Sequence, residues 1–177
     1  MLYNRYIQKK KKEKPPLTFR LIGATAGLII GAITIKILFS IYIVKGDSMK
    51  PDFPEGKFVL LLKIAPAKRD KAVLVKSGLQ RGYYYFGRIA AVAGDSIEIN
   101  NKEIIVNGEN YNTKRLLRND DPRILPEILT NRDNLQKMFV PEGHVFIIGD
   151  NLDRSFDSRD FGPVKAGNVV GRVILSF

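Results

Sequence analysis

Ser48 stands in the run Gly46-Asp47-Ser48-Met49-Lys50-Pro51. A second polar stretch follows near the end of the sequence, Gly149-Asp150-Asn151-Leu152-Asp153-Arg154-Ser155-Phe156-Asp157-Ser158-Arg159-Asp160-Phe161-Gly162. A serine hydroxyl is a poor nucleophile at neutral pH and attacks a carbonyl carbon only as a neighbouring base takes its proton. The chain has no cysteine, which excludes thiol nucleophiles, disulfides and thiolate metal sites. It has one histidine, His144, and no HExxH pattern, so zinc-protease chemistry is not indicated. A lysine can act as the base where apolar surroundings desolvate its amine and keep it neutral.

The two runs together resemble the nucleophile box (SMxPT) and the final box (GDNxxxSxDSRxxG) of type I signal peptidases, membrane-anchored serine endopeptidases that remove export signals. The resemblance covers about residues 44 to 110 and 140 to 175. It implies that Ser48 is the nucleophile, with its backbone N–H as a candidate oxyanion donor and Gly46 permitting the tight approach. It also implies that Ser155 orients a lysine amine and that Asp157 and Arg159 form a buried ion pair bracing the site. If residues 155 to 159 are extended, these three side chains fall on one face.

The family carries its lysine in a strand reading roughly K-R-x-x-G-x-P-G-D. Here that stretch is Gly87-Arg88-Ile89-Ala90-Ala91-Val92-Ala93-Gly94-Asp95, so Arg88, Gly94 and Asp95 match and Gly87 holds the lysine position. The general base is therefore unassigned. A hairpin closed by residues 77 to 82 would set Ala72 opposite Gly87 and Lys76 opposite Tyr83. Lys76 then lies four residues, about 13 Å, along the strand, beyond the reach of a lysine stem. Lys71 would pair near Arg88 and face the other way. Sequence alone does not place Lys45, Lys50, Lys57 or Lys63, and His144 reads as a structural or surface residue. Asp52, Lys57, Lys71 and Leu152 also depart from the family pattern, where threonine, aspartate, aspartate and arginine are usual.

Elements must hold these groups in place. Residues Leu17 to Ile35 are almost wholly apolar, and at the helical rise they cover roughly 28 Å, about one hydrocarbon core. Ahead of it or in its first turn, Arg5, Lys9, Lys10, Lys11, Lys12, Lys14 and Arg20 face Glu13 alone, a large share of the net +11. Such a flank stays on the cytoplasmic side. The reading is a basic cytoplasmic segment over 1–16, a transmembrane anchor over 17–43, with its far end open by two turns, and an extracytoplasmic domain over 44–177. A cleaved leader would need a shorter core and a small-x-small exit, which the run from Phe39 to Lys45 does not offer. Gly23, Gly27 and Gly31 line one helix face at a spacing that suits a partner helix or carries no function.

Beyond the anchor the apolar residues recur with strand periodicity over 58–62, 72–75, 83–92, 96–99, 103–106, 145–148 and 169–175. Asn100-Asn101 and Asn107-Gly108 read as two-residue hairpin turns. The expected fold class is mainly β: one N-terminal transmembrane helix followed by a coiled antiparallel sheet. Residues 111–138 break the pattern and read as a variable insertion, with a helical turn over Ile124 to Leu129.

The expected function is a membrane-anchored serine endopeptidase that cleaves signal peptides from exported preproteins after small residues. The alternative is a catalytically inactive homologue that binds signal peptides or partners with an active peptidase. Expected partners are exported preproteins, membrane lipid, and the secretion translocon or a second signal peptidase, with no nucleic acid. No cofactor and no metal are expected. A self-cleaving repressor relative sharing the serine box is disfavoured by the anchor and by the lack of a DNA-binding module.

Overall fold

The computed structural model describes residues 16–114, 117–126 and 128–177. The basic segment ahead of Pro16, and with it all the flanking cations except Arg20, lies outside the described residues. Two compact units divide at Lys36 and Ile37.

The first unit is built on α1, Leu17–Leu38, one helix long and apolar enough to cross a membrane. The helix stops at Leu38. Residues Phe39–Ile43, expected as the end of the anchor, form strand β1 instead, paired along their whole length with β2, Phe58–Leu62. Every residue of the run 39–44 except Ser40 is aromatic or β-branched, so it fits a pleated surface as well as it fits a membrane helix.

The second unit is mainly β, as expected. A seven-stranded antiparallel sheet runs in the order β1, β2, β11 (Val169–Ser176), β3 (Ala72–Lys76), β4 (Tyr84–Val92), β9 (His144–Ile148) and β10 (Val164–Lys165). A smaller sheet has the order β7 (Glu109–Asn110), β6 (Glu103–Val106), β5 (Ser96–Asn100) and β8 (Leu135–Phe139). Asn107 and Gly108 take the left-handed conformations that a tight β6–β7 hairpin needs, with φ of 54° and 80°. The β5–β6 turn is centred one residue later than expected, on Asn101 and Lys102, with φ of 50° and 68°. The segment 111–138 is not wholly irregular. It opens with a helical turn, α2 (Tyr111–Lys114), and ends in β8, paired with β5. Around Pro126 the chain makes a turn in which Leu129 and Thr130 donate to the Pro126 carbonyl, and Glu127 lies outside the described residues.

The centre of the large sheet is buried on both faces. In β3, Ala72 and Leu74 pack with Val44, Met49, Val59, Leu61 and Phe86, while Val73 and Val75 pack on the other side with Ile89, Val145 and Ile147. Such two-sided burial explains why β3 reads as an unbroken apolar run. A third cluster joins the sheets through Ile97, Ile99, Ile104, Val106, Phe146 and Ile148. A register shift in β4 between Ile89 and Ala91 lets Ala90 and Ala91 both enter it. Met49, fully buried, anchors the serine run into the core one residue after Ser48.

Candidate functional site

Strands β4 and β9 pair from Arg88 opposite Ile148 to Val92 opposite Val145, and beyond Ile148 the chain leaves β4. The serine run occupies the space so opened. Ser48 Oγ donates to the Phe86 carbonyl at 3.4 Å, and the Ser48 carbonyl accepts the Asn151 N–H at 2.9 Å. Gly46 enters this turn with φ of 74°, a conformation that a side chain disfavours.

Gly149 is the meeting point. A Cβ placed on it would stand 2.3 Å from Ser155 Oγ and 2.5 Å from the Ser48 carbonyl oxygen. Only a residue without a side chain lets these two serines approach the same backbone position. In the sequence this glycine is in register with the final box, and nothing there assigns it a role.

The final box is shaped by groups that take over from missing strand partners. Asp157 caps the short helix α3, Ser158–Phe161, through the Arg159 N–H, while Asp160 accepts the Asp157 N–H in return. The residues from Ser155 to Arg159 are thus not one extended segment, because Arg159 already sits in α3. The Asp157 and Arg159 side chains still meet: Nε and Nη2 donate to the two carboxylate oxygens, both at 2.9 Å, with each residue at most 3% exposed. Asp157 also accepts the Gly149 N–H at 2.9 Å, and Ser158 Oγ accepts that of Ile147 at 3.0 Å. These side chains satisfy backbone groups at the end of β9 that would otherwise be buried without partners.

Arg88 lies behind the serine run. Its Nε and Nη2 donate to both oxygens of Asp150, its Nη1 to the Asp70 carbonyl, and its Nη2 also to Asp52 at 3.2 Å. Burial lowers its pKa, but the hydrogen bonds to Asp150 together with the negative charges of Asp150 and Asp52 outweigh this, and the guanidinium is held more firmly charged. Asp52, which stands where the family usually has threonine, thereby has a partner.

The register of β3 and β4 differs by one from the expected pairing. Val73 is opposite Gly87 and Lys76 opposite Tyr84. Lys76 is then three residues, about 10 Å, from that level, and an odd spacing turns it to the other face. Ala72, not Lys71, is opposite Arg88. Lys50 pairs with Asp47 at 2.8 Å, which holds the Asp47 carboxyl below its ordinary value. Lys57 donates to the Asp52 carbonyl and lies over the Phe53 ring. His144 begins β9, opposite Lys165, with Nδ1 2.9 Å from the Glu142 carbonyl.

Ser48 opens onto a cleft of about 650 Å³ whose walls include Tyr42, Tyr83, Tyr85, Phe86, Arg154 and Phe156. Among the described residues, Lys45 is the lysine on its wall. Burial pushes the Tyr42 phenol up, so it lines the cleft as a neutral hydroxyl. Tyr85, Phe156 and Phe161 pack their rings together, with centroids 4.7 Å to 6.0 Å apart. An open, largely aromatic groove beside a serine hydroxyl suits an extended apolar peptide.

Residues 18–177 match the family described as signal peptidase, peptidase S26. The chain belongs to this signal peptidase family. It is 33% identical over 144 residues to signal peptidase I of Bacillus caldolyticus, covering 77% of this chain and 78% of that protein. It is 28% identical over 173 residues to signal peptidase I P of Bacillus subtilis subsp. natto, covering 96% and 93%. A crystal structure of a signal peptidase I from Enterococcus faecalis shares 25% identity with a TM-score of 0.47, covering 63% of this chain and 99% of that one. The chain is thus a member of a serine peptidase family with a signal-peptidase-like role, and signal-peptide-bearing preproteins are the substrates that membership implies.

Proposed function

We propose that this signal peptidase family member is a membrane-anchored serine endopeptidase that cuts signal peptides from exported preproteins after small residues. The observation that supports it is the convergence of Ser48 and Ser155 on Gly149 at the edge of the aromatic cleft. In this reading α1 spans the plasma membrane with the N-terminus in the cytoplasm, and the β unit meets the emerging preprotein outside. Ser48 Oγ attacks the carbonyl carbon of the scissile amide. Its proton passes to a base and then to the leaving amine, and water hydrolyses the resulting ester. The Phe86 carbonyl orients the hydroxyl but does not take the proton. With Gly87 at the family's lysine position, Lys45 on the cleft wall is our candidate for the amine. Ser155, Asp157, Arg159 and Arg88 have supporting roles: they hold the final box against the serine run.

Gly87 favours a second reading, in which the same cleft binds signal peptides without cutting them. Incubating the full chain in detergent micelles with a preprotein separates the two. Cleavage by the wild type and loss of it in Ser48→Ala supports the peptidase. Equal background rates in both would sink the peptidase reading, and retained binding of the signal peptide would then favour the second.

A further inference from the structure

The segment from residue 117 to 133 reads in the sequence as an excursion from the core, yet it is fastened to the loop that carries Ser155. Arg118 forms a parallel bridge with Asn151: its N–H donates to the Asp150 carbonyl and its carbonyl accepts the Leu152 N–H, both at 2.8 Å. The Asp153 carboxylate accepts the N–H groups of Asp120 and Asp121 at 2.6 Å and 3.0 Å. At the far end of the segment, Arg132 Nη2 donates to the Leu152 carbonyl at 2.9 Å and to the Ser155 carbonyl at 2.5 Å.

Arg132 therefore closes the turn from Leu152 to Ser155 by gripping both its ends. The turn's other ties are the Arg154 N–H to the Asn151 carbonyl at 3.3 Å and Arg159 Nη2 to the Leu152 carbonyl at 2.8 Å, so among the described residues Arg132 is the side chain that spans both ends. Among the described residues the buried guanidinium Nε has no hydrogen-bond partner, and it lies 3.7 Å from Asp160 Oδ1. Its orientation is thus given up to the two carbonyls, which a charged donor binds more strongly than a neutral one. The gripped turn contains Arg154 and runs directly into Phe156, and both line the cleft.

We propose that Arg132 is a positioning residue: from the insertion, it sets the 152–156 loop and with it one wall of the peptide cleft. This rests on the reading that the cleft takes a peptide, and it predicts that the insertion tunes peptide affinity without touching the peptide.

The test compares the full-length wild type, Arg132→Ala, Arg132→Gln and Arg123→Ala in detergent micelles. Arg123 belongs to the same insertion but, among the described residues, pairs with its neighbour Asp121 alone. Two readouts are taken well below the melting temperature: the Kd of a fluorescent signal peptide, and amide exchange. For Arg132→Ala, about a tenfold rise in Kd and at least about tenfold faster exchange at Leu152 and Arg154 are expected, with β3 and β4 unchanged. Arg132→Gln, which keeps one donor, should fall between, and Arg123→Ala should match the wild type. Wild-type exchange at Leu152 and Arg154, faster exchange throughout β3 and β4, or an unchanged Kd overturns the proposal. A wild type that binds no peptide defeats instead the peptide reading of the cleft, and the exchange rates then decide alone whether Arg132 holds the loop.

Discussion

The carbonyl of Ser48 accepts the backbone N–H of Asn151 at 2.9 Å, so the serine run and the final box, about a hundred residues apart in sequence, are joined main chain to main chain. This backbone contact brings the segments that carry Ser48 and Ser155 together. Gly149, two residues before Asn151, makes the contact possible.

Gly149→Ala is expected to be the most damaging small substitution in the site. Its methyl would stand 2.3 Å from Ser155 Oγ and 2.5 Å from the Ser48 carbonyl, and one of these is backbone. The chains must move apart, at about 1–3 kcal/mol of stability. Thermal unfolding should register the loss, and peptide cleavage or binding should fall by at least about tenfold. Unchanged values of both would show that the serine run gives way freely.

Gly87→Lys should fold. Its Cβ would meet the Ile148 carbonyl oxygen at 3.2 Å and Ile147 Cβ at 3.7 Å, a fit that asks for a shift of a few tenths of an ångström. If Ser48 lacks only a base, the variant should gain on the order of 10²-fold in cleavage rate, and Gly87→Lys combined with Ser48→Ala should lose the gain. A folded variant with no gain would show that the amine from this position does not reach Ser48.

The Asp157–Arg159 pair is almost wholly buried, so removing either partner strands a charge. Arg159→Leu or Asp157→Asn should each cost about 3–5 kcal/mol, and the double variant less than their sum. Denaturant titration of the four proteins measures the coupling. Additive losses would mean that the two side chains stabilise the loop independently.

Burial pushes the Asp160 carboxyl above its ordinary value, while the N–H of Asp157 and the charge of Arg132 pull it down. A carboxyl raised in the folded state binds its proton more tightly there than in the unfolded chain. Its contribution to stability is therefore fully present below the ordinary value of 3.8 and is lost as pH rises through the folded value. Arg132→Gln should raise the Asp160 pKa further, read from its carboxyl carbon NMR shift against pH. An unchanged value would place Arg132 away from Asp160 in solution.

Much of the fold was legible in one dimension because local patterns report local structure. The apolar run of α1, the short apolar runs of β2 and β6, the alternation in β5 and the Asn107-Gly108 turn each follow from neighbours in the chain. The pairing of β3 with β4 was legible too, but its register was not: the loop between Ser77 and Tyr83 has no two-residue turn to fix it, and one residue's slip changed which side chain is opposite Gly87. Phe39–Ile43 misled for a related reason, since an apolar, β-branched run beside a membrane-length helix fits either state until β2 supplies a partner.

By itself the sequence determined the chemistry on offer: a serine without cysteine or a poised histidine, a glycine at the family's lysine position, and a polar box with an acid and a base two residues apart. Only the tertiary structure decided how these meet. Gly149 shows its purpose only once Ser48 and Ser155 crowd the same point, and Arg132 shows its own only once a distant loop presents two carbonyls to it. Such roles depend on contacts between segments far apart in the chain, which a sequence read in order does not record.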